Sequence, residues 1–454
     1  MVLASPSRPW SKRATRRARL PTWTSREDTG AQRGATQRGC DVGDGTVWHP
    51  TVRLVEPDEL ADWVRCLRIG FHQDEPDGLV EHLRAEVDLD RTWAAFEGSD
   101  LCGTLRSAAT SLTVPGPAPV PATAISSATV APTHRRRGAL SAMVDAALGF
   151  GKEAGEVVSV LVAAEYPIYG RFGFGPAIEG AVYHVDVRAV RFRRRAVGHV
   201  ALVEPETLRS EAPAIYDRAR VAQPGAIDRS SRWWDVALGI VEVPGAPAAA
   251  TTRLGLYRSP SGVPEGYVRY QAKQDWDQMR PNSQLSIDEL VASTPEAYHA
   301  LWQFCCEVDL VRSLEAWQRG VDETLPWLLE DGRAVRQASR FDFVWARLLD
   351  VPGALAGRRY ATSDALVLEV VDQRGLVGGR YLLDGGRDGA TCTATTAAAD
   401  LVAPVDALGS VYAGGLSWHL LHRAGRVDEE SPGAVARAEA MFRSAPAPWC
   451  STWF

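Results

Sequence analysis

Residues 128–140 read ATVAPTHRRRGAL. A β-strand ends at Val130, because Pro132 has no N–H with which to continue a sheet ladder. A helix then runs from Gly138 to Glu153, and its apolar residues recur at the spacing of one helix face: Leu140, Met143, Val144, Ala147 and Leu148. The stretch therefore predicts a strand, a short loop and an amphipathic helix.

The loop has the chemistry of an anion site. The first N–H groups of a helix have no partner within the helix and lie at the positive end of its dipole, where a pyrophosphate fits. Gly138 lets a phosphate approach the backbone, and the arginines at 135–137 can add charge-assisted contacts. A solvated basic helix end without a ligand is the alternative. The stretch lacks the Gly-Lys-Ser/Thr of a Walker A loop and the turn glycines of a dinucleotide fold.

Around this loop, the apolar patterns predict a mixed α/β domain that closes near Asp186. Its strands are predicted at 52–55, 92–96, 102–111, 124–130 and 157–163, its helices at 58–70, 78–87 and 138–153, and a turn-rich segment at 115–121. A second unit follows, with strands at 200–203, 253–257 and 266–271, a helix at 206–221, and a strand then a helix within 285–301. This second unit has no loop like residues 135–138 ahead of a helix, so we expect it to lack cofactor binding.

A third unit is predicted from about Arg340 to the end of the chain. Its strands are predicted at 341–348, 365–371 and 379–383, and its helices at 397–402, 405–413 and 432–442. The last residues, Trp453 and Phe454, are costly to leave in water. We therefore expect this terminus to dock on the protein, although chain ends more often fray.

Composition narrows the class of protein. The chain has 454 residues, 45% of them hydrophobic and 23% charged, which is typical of a globular protein of several domains. Its net charge of −6 argues against binding to nucleic acid or to anionic membranes. No apolar run reaches the roughly 18 residues that span a bilayer. Seven scattered cysteines indicate reduced thiols in a cytoplasm, and no ligand spacing indicates a metal.

The N-terminal segment differs from the rest. Residues 1–38 hold nine Lys or Arg and two Asp or Glu, which favours a disordered extension. Arg16 and Arg17 form a twin arginine, but no apolar stretch follows to complete an export signal. The expected location is the cytoplasm, with secretion as the open alternative.

Three motifs and the terminal residue point to a family. Arg-x-x-Gly-x-Leu at 135–140 resembles the acetyl-CoA pyrophosphate loop of the GNAT N-acetyltransferases. Together with IYGRFGFGPA at 168–177, DALGSVY at 406–412 and the terminal Phe454, the sequence over about 51–454 resembles the enhanced intracellular survival (Eis) family of actinobacterial acetyltransferases. That family implies acetyl-CoA as co-substrate, an amine acceptor such as an aminoglycoside, and a homohexamer.

The resemblance also implies the fold class and the domains. The fold class is α/β (α+β), with tandem GNAT-type mixed-sheet domains followed by a sterol-carrier-protein-like domain. The expected divisions are a basic extension, a catalytic GNAT domain, a GNAT-like domain without cofactor, and a sterol-carrier-protein-like domain that supplies the C-terminal carboxylate: 1–50, 51–187, 188–339 and 340–454.

Site residues follow by matching motifs. The strand that pairs with the pantetheine arm would be Ala128, Thr129 and Val130. The pyrophosphate would contact Arg136, Arg137, Gly138, Ala139, Leu140 and Ser141. The splayed end of the next strand would be lined by Ala164 and Glu165. The general acid would be Tyr169, and the base would be the carboxylate of Phe454.

The ordinary pKa values of these two groups suit their implied roles differently. A tyrosine of pKa about 10 can protonate a thiolate whose acid has a pKa near 8.5; for Tyr169, packing beside Gly170 and Gly173 is the alternative. An α-carboxylate of pKa about 3.5 is a weak base for an ammonium near 10, unless burial raises its pKa, a water relays the proton, or it only orients the amine. Glu165 is a secondary candidate, and His134 on the phosphate loop is poorly placed for proton transfer.

The acceptor pocket departs from the family pattern. In relatives that acetylate aminoglycosides, an acid lies two residues after a Phe, where this chain has Gln73 after Phe71; the neighbouring Asp74 is a substitute candidate. A second acid precedes their terminal Phe, where this chain has Trp453. We expect a less anionic, more aromatic pocket, which favours less highly charged amines or lysine side chains. A lipid-binding protein and an acetyl-CoA sensor, each with vestigial catalysis, are the competing functions.

Overall fold

A computed structural model describes residues 50–116, 118–246 and 252–454. The extension predicted over 1–50, its twin arginine and Cys40 thus lie outside the described residues, except for Pro50. The first part of the chain contains β1 (Thr51–Leu54), α1 (Leu60–Gly70), α2 (Leu79–Arg84), β2 (Thr92–Glu97), β3 (Asp100–Val114), β4 (Ala118–Val130), α3 (Ala139–Glu153), β5 (Val158–Val162), α4 (Tyr166–Tyr169) and β6 (Gly175–Asp186).

The middle part contains β7 (His199–Leu202), α5 (Pro205–Val221), α6 (Ser231–Ala237), β8 (Thr252–Arg258), β9 (Pro264–Lys273), β10 (Trp276–Asp277), β11 (Arg280–Pro281), β12 (Ser283–Ala292), α7 (Pro295–Cys306), β13 (Val311–Arg319), α8 (Leu325–Leu328) and β14 (Val335–Leu348). The last part contains α9 (Val351–Ala356), β15 (Asp364–Val371), β16 (Gly379–Gly385), β17 (Ala390–Ala394), β18 (Leu401–Pro404), α10 (Val405–Tyr412), α11 (Trp418–Arg423), β19 (Asp428–Glu429) and α12 (Ala434–Phe442).

One large sheet joins the first two parts. Its strand order is β1-β2-β3-β4-β5-β14-β6-β13-β12-β9-β8-β7, and a separate sheet in the last part has the order β17-β16-β15-β18-β19. Two pairs of neighbours in the large sheet are parallel, β4 with β5 and β12 with β13, and each pair is linked by a helix, α3 or α7. The same strand–helix–strand unit thus occurs twice, once in each half of the sheet.

The predicted amphipathic helix is confirmed. Met143, Val144 and Ala147 of α3 are fully buried, and Leu148 is nearly so, in a cluster with Trp93, Leu105 and Ile125 of the sheet. Leu140 is half-buried near the beginning of the helix. The helix therefore packs its apolar face on β2–β4, and its first turn is buried at Ala139 and half-buried at Leu140.

Two predictions from the sequence are wrong in the last third of the chain. Residues 341–348 do not open the third sheet; they form the end of β14, which pairs with β5 and β6 in the large sheet. Residues 397–402 are not helical, because Leu401 pairs with Leu368 and the carboxylate of Asp400 accepts the N–H of Val367 at 2.8 Å. Tertiary pairing here outweighs the helix propensity of an alanine run.

The predicted turn at 115–121 is also shorter than expected. β4 already begins at Ala118 and pairs Pro119 and Pro121 with β3. Prolines are tolerated where a strand has an open side, and β4 is paired with β5 only from Ala122 onward.

The structure shows the state of the cysteines and the length and polarity of the helices. The six described cysteines are all buried and free of disulfides: Cys66, Cys102, Cys305, Cys306, Cys392 and Cys450. Within the described ranges, every helix is too short or too polar to cross a bilayer.

Candidate active site

The parallel strands β4 and β5 part at one end. Their pairing runs from Ala122 with Val158 to Ile125 with Leu161, although β4 continues to Val130. A shift in the β3–β4 register coincides with Ser127, whose φ of 55° marks a bulge in β4. We call the space beyond the paired residues the β4–β5 opening. A strand edge of this kind offers N–H and C=O groups to an extended ligand.

The residues predicted to meet the pantetheine arm lie on this edge of β4. Ala128 and Val130 are half-buried, and Thr129 is buried. Helix α1 ends against the same place, because a Cβ on Gly70 would collide with the hydroxyl of Thr129. Phe71, the next residue, is half-buried among the side chains of α1 and α2. The predicted acceptor residue Phe71 thus follows directly on a contact with the predicted cofactor strand.

The N-terminus of α3 lies beyond the end of β4. Gly138 is its N-cap, with a φ of 92° and no side-chain cap. A Cβ on Gly138 would meet no atom within 4 Å, so the space in front of the helix is open. Arg136 is exposed and has a φ of 63°. The first-turn residues Ala139, Leu140 and Ser141 therefore point their N–H groups toward an accessible surface.

A carboxylate faces the basic loop. Oε2 of Glu97 lies 2.8 Å from Nε2 of His134, and Oε1 of Glu97 lies 3.5 Å from Nη1 of Arg137. Glu97 of β2 therefore supplies a negative charge beside the basic loop. His134 is engaged on this loop, and both predicted arginines, Arg136 and Arg137, are exposed.

The end of β5 leads to Tyr169. Ala164 and Glu165 are exposed where the strand ends, and α4 then carries Tyr169 inward, leaving it 7% exposed. Its ring packs edge-on against Phe174, with centroids 6.3 Å apart. Burial raises the pKa of Tyr169 and the charge of Glu165 adds to this, while Arg171 opposes them. The phenol is therefore held in its protonated form.

The C-terminal tail is docked, as its apolar sequence predicts. Thr452 is 1% exposed, and its hydroxyl hydrogen-bonds to Tyr216 at 2.9 Å. Nε1 of Trp233 donates to the carbonyl of Trp453 at 3.2 Å. Trp453 and Phe454 are half-buried against the core cluster that contains Phe343.

Strand β14 connects this tail with the Tyr169 segment. The ring of Trp453 lies 5.3 Å from that of Phe343, and the ring of Tyr166 lies 4.8 Å from that of Trp345. Phe343 and Trp345 are two positions apart on a strand that pairs Val344 with the last residue of β5. The tail and α4 therefore contact the same short stretch of β14.

The sequence reasoning missed the group that holds the tail. The side chain of Arg229 is fully buried and forms an ion pair with Glu289. Its guanidinium lies over the rings of Tyr216 and Trp233 at 3.7 and 3.8 Å, and it donates to the hydroxyls of Ser451 and Thr452 at 3.0 and 2.8 Å. The adjacent tryptophans at 233–234 are the sequence feature that could have indicated this docking site, but no nearby sequence pattern links them to the C-terminus.

The remaining predicted pocket residues lie after α1. Gln73 and Asp74 are exposed, and Nε of Arg68 donates to the backbone carbonyl of Asp74 at 2.6 Å. His72, which lies between Phe71 and Gln73, has a φ of 54°.

Among the described residues, no three His, Cys, Asp or Glu side chains form a group that could hold a metal ion.

The second parallel pair ends differently. β12 and β13 pair as far as Ile287 with Ala316, but Nη1 of Arg319 then donates to the carbonyl of Leu290 at 2.8 Å and bridges the strands. At the N-terminus of α7, the hydroxyl of Thr294 accepts the N–H of Ala297 at 3.2 Å, and Pro295 has no N–H. The second pair therefore lacks both the open strand edge and the uncapped helix N-terminus that are present at the first.

Known proteins share this three-part organisation. Two family profiles described as an acetyltransferase (GNAT) domain match residues 51–177 and 225–348, and one described as a sterol carrier protein domain matches residues 351–451. An uncharacterized N-acetyltransferase of Streptomyces griseus is 40% identical over 417 residues, covering 89% of this chain and 99% of that protein. N-acetyltransferase Eis of Mycobacterium tuberculosis is 36% identical over 360 residues, covering 77% of this chain and 85% of that protein.

Solved structures agree. A crystal structure of an Eis protein from Mycobacterium abscessus has a TM-score of 0.78 and 34% identity, covering 89% of this chain and all of that one. A GCN5-related N-acetyltransferase from Anabaena variabilis, at 20% identity, has the same fold with a TM-score of 0.77 over 89% of this chain.

Proposed function

Because the chain belongs to the Eis family of GNAT N-acetyltransferases, we propose that it transfers acetyl from acetyl-CoA directly to an amine, with Tyr169 as general acid and the Phe454 carboxylate as base. The chain has two GNAT domains followed by a sterol-carrier-protein-like domain, and it is an acetyltransferase. The observation that carries the proposal is the β4–β5 opening, which lies next to an uncapped helix N-terminus.

The residues around the opening suit acetyl-CoA. The edge of β4 at 128–130 can pair with the amide groups of pantetheine, and the first turn of α3 can donate N–H groups to the pyrophosphate. The space in front of Gly138 leaves room for the phosphates. In the second GNAT domain, Thr294 caps the corresponding helix N-terminus and Arg319 bridges the corresponding strands, so a pyrophosphate and a pantetheine arm would find both places taken. We therefore propose a single acetyl-CoA site per chain.

Two proton transfers accompany the reaction. Bound acetyl-CoA supplies an activated acyl group whose carbon–sulfur bond breaks as the new carbon–nitrogen bond forms. The thiolate that leaves takes the phenolic proton of Tyr169, whose raised pKa keeps that proton available at neutral pH. The acceptor nitrogen loses its proton to the carboxylate of Phe454, directly or through a water.

The docked tail supports the role of the terminal carboxylate. The hydrogen bonds to Ser451, Thr452 and Trp453 restrict the chain immediately before Phe454. A fixed position is what a weak base needs, because proximity and orientation can then compensate for a low pKa.

The aromatic lining supports a preference among acceptors. Trp453 packs with Trp317 and Phe343, at centroid distances of 6.1 and 5.3 Å. Gln73 is uncharged where relatives that acetylate aminoglycosides carry an acid. We propose that monoamines bearing aromatic groups, or lysine side chains, are better substrates than polycationic aminoglycosides.

A thiol-release assay with acetyl-CoA and a panel of amines tests this function. Deletion of Phe454, or extension of the chain by one glycine, should strongly lower kcat and leave the KM for acetyl-CoA nearly unchanged. Phe454→Ala is the matched control, because it keeps a terminal carboxylate at the same position and should retain more activity. Full turnover by the extended protein would rule out the carboxylate, and a preference for kanamycin-like polyamines would rule out the proposed acceptor class.

A further inference from the structure

A buried arginine on β14 contacts the segment that carries Tyr169. Arg347 is fully buried, and its Nη1 donates a hydrogen bond to the carbonyl of Phe172. Phe172 is itself fully buried and ends the short 3-10 turn that follows Tyr169. The guanidinium therefore holds the backbone three residues after the proposed acid.

Gly173 fits this turn against the guanidinium. Its φ of 80° favours glycine, and a Cβ at this position would collide with Nη1 of Arg347. The N–H of Gly173 donates to the carbonyl of Gly170 at 2.9 Å, and that of Phe174 donates to the carbonyl of Tyr169 at 3.3 Å. The backbone of Tyr169 is thus hydrogen-bonded into the turn that Arg347 contacts.

A carboxylate of the sterol-carrier-protein-like domain orients the guanidinium. Nη2 of Arg347 donates to Oδ2 of Asp372 at 2.8 Å, and the side chain of Asp372 is 1% exposed. The same oxygen accepts the N–H groups of Leu376 and Val377, at 2.9 and 3.0 Å. The loop at 372–377, between β15 and β16, closes around this carboxylate and so fixes where the guanidinium lies.

This loop also contacts helix α3. Nε of Arg374 donates to Oδ1 of Asp145 at 2.8 Å, and Nζ of Lys152 donates to the carbonyl of Leu376 at 2.7 Å. The guanidinium of Arg374 lies over the ring of Phe172, 5.3 Å from its centroid. A loop of the third domain therefore bridges the turn after Tyr169 and the helix whose first turn is proposed to bind the pyrophosphate.

We propose that Arg347 is a positioning residue for Tyr169, and that Asp372 of the third domain holds the Arg347 guanidinium in place. This rests on the acid role of Tyr169 proposed above. An arginine suits the task because its planar fork reaches two partners at a fixed angle. A buried ion pair adds little net stability over apolar residues of similar size, so its value here lies in orientation.

Two variants test the role. Arg347→Lys keeps a charge opposite Asp372 but lacks the planar fork that reaches Asp372 and Phe172 at a fixed angle. Arg347→Gln combined with Asp372→Asn removes both charges and leaves no uncompensated one in the core. Each should lower kcat by about 10- to 100-fold, since a displacement of about 1 Å can cost about 100-fold in rate. The KM for acetyl-CoA should change less than about twofold, because the phosphate contacts are left intact.

The control and the double variant separate positioning from general damage. Arg380→Gln removes an exposed ion pair with Glu369 in the same domain and should leave kcat unchanged. In a Tyr169→Phe background, Arg347→Lys should lower kcat by less than about twofold, because the group that it positions is gone. A full additional loss there, or unchanged kcat for both Arg347 variants, overturns the positioning role alone. Unchanged kcat for Tyr169→Phe by itself overturns the proposed function as well.

Discussion

The packing of Tyr169 is compatible with the acid role proposed for it. The side chain packs as a core residue, 7% exposed and edge-on to Phe174. The same burial raises the pKa of its hydroxyl, because the phenolate would lose its hydration. A buried ring and a protonated hydroxyl are therefore compatible at this position. Removing the hydroxyl while keeping the ring separates the acid role from the packing role.

Tyr169→Phe should lower kcat by about 100-fold or more, which is the usual range for loss of a general acid. Thermal unfolding should change little, since the ring is kept. Tyr166→Phe is the matched control: Tyr166 lies on the same α4, is 62% exposed, and should tolerate the change. Because burial raises the pKa of Tyr169 above its usual 10, wild-type kcat should show no loss of the acid below about pH 10. A decline centred near pH 8 in the wild type, or equal effects of both variants, would contradict the assignment.

At the scale of an element, helix α3 has a glycine at each end, and the two ends are predicted to differ in function. Gly138 and Gly155 both have a positive φ, 92° and 78°, and a Cβ on either would meet no atom within 4 Å. Alanine at either position should cost about 1–2 kcal/mol in stability, from backbone strain alone. Only Gly138→Ala should weaken acetyl-CoA, because only that end faces the proposed pyrophosphate site. Calorimetric titration of the wild type and both variants with acetyl-CoA checks this, and the wild type should bind one acetyl-CoA per chain. Equal Kd values for the Gly138→Ala and Gly155→Ala variants would argue against the site.

Local patterns were sufficient for elements whose neighbours are close in sequence. The 3.6-residue period over 138–153 predicted α3 and its buried face, and the proline after Val130 predicted where β4 ends. The proposed phosphate loop follows from the same local chemistry. These features depend on contacts within about thirty residues, which periodicity and turn chemistry can express.

Elements defined by distant partners were not predictable in this way. The apolar run at 341–348 indicates a strand, but nothing in it says that the strand inserts between β5 and β6. Likewise, Arg347 meets a carbonyl 175 residues earlier in the chain, and Arg229 meets a carboxylate 60 residues later. A buried arginine and an exposed one look the same in a single sequence, so the groups that hold the proposed catalytic residues emerged only from the structure.

For the whole molecule, the C-terminal tail of the third domain is held by side chains of the second domain. Arg229 and Tyr216 of the second domain hold Ser451 and Thr452, and Nε2 of Gln318 donates to the carbonyl of Cys450 at 3.0 Å. If Phe454 acts as the base, the second GNAT domain therefore has a task despite its filled opening: it places the end of the third domain.

Arg229→Met should destabilise the protein by about 3–5 kcal/mol, because it removes the main ion-pair partner of the buried carboxylate of Glu289 and leaves the more distant Arg269, at 4.0 Å, to oppose that charge. Burial acts to raise the pKa of Glu289, but Arg229 outweighs it and the pKa is lowered. The stabilisation is thus complete above the ordinary glutamate pKa of about 4.3 and declines as the pH falls below it. The difference in Tm between wild type and Arg229→Met should be constant from pH 6 to 8 and shrink below about pH 4. The double variant Arg229→Met with Glu289→Met removes both charges and should recover most of the stability. It should recover little of kcat, because the hydrogen bonds from Arg229 to Ser451 and Thr452 are still missing. Recovery of kcat together with Tm in that double variant would show that the tail needs a folded second domain and not Arg229 itself.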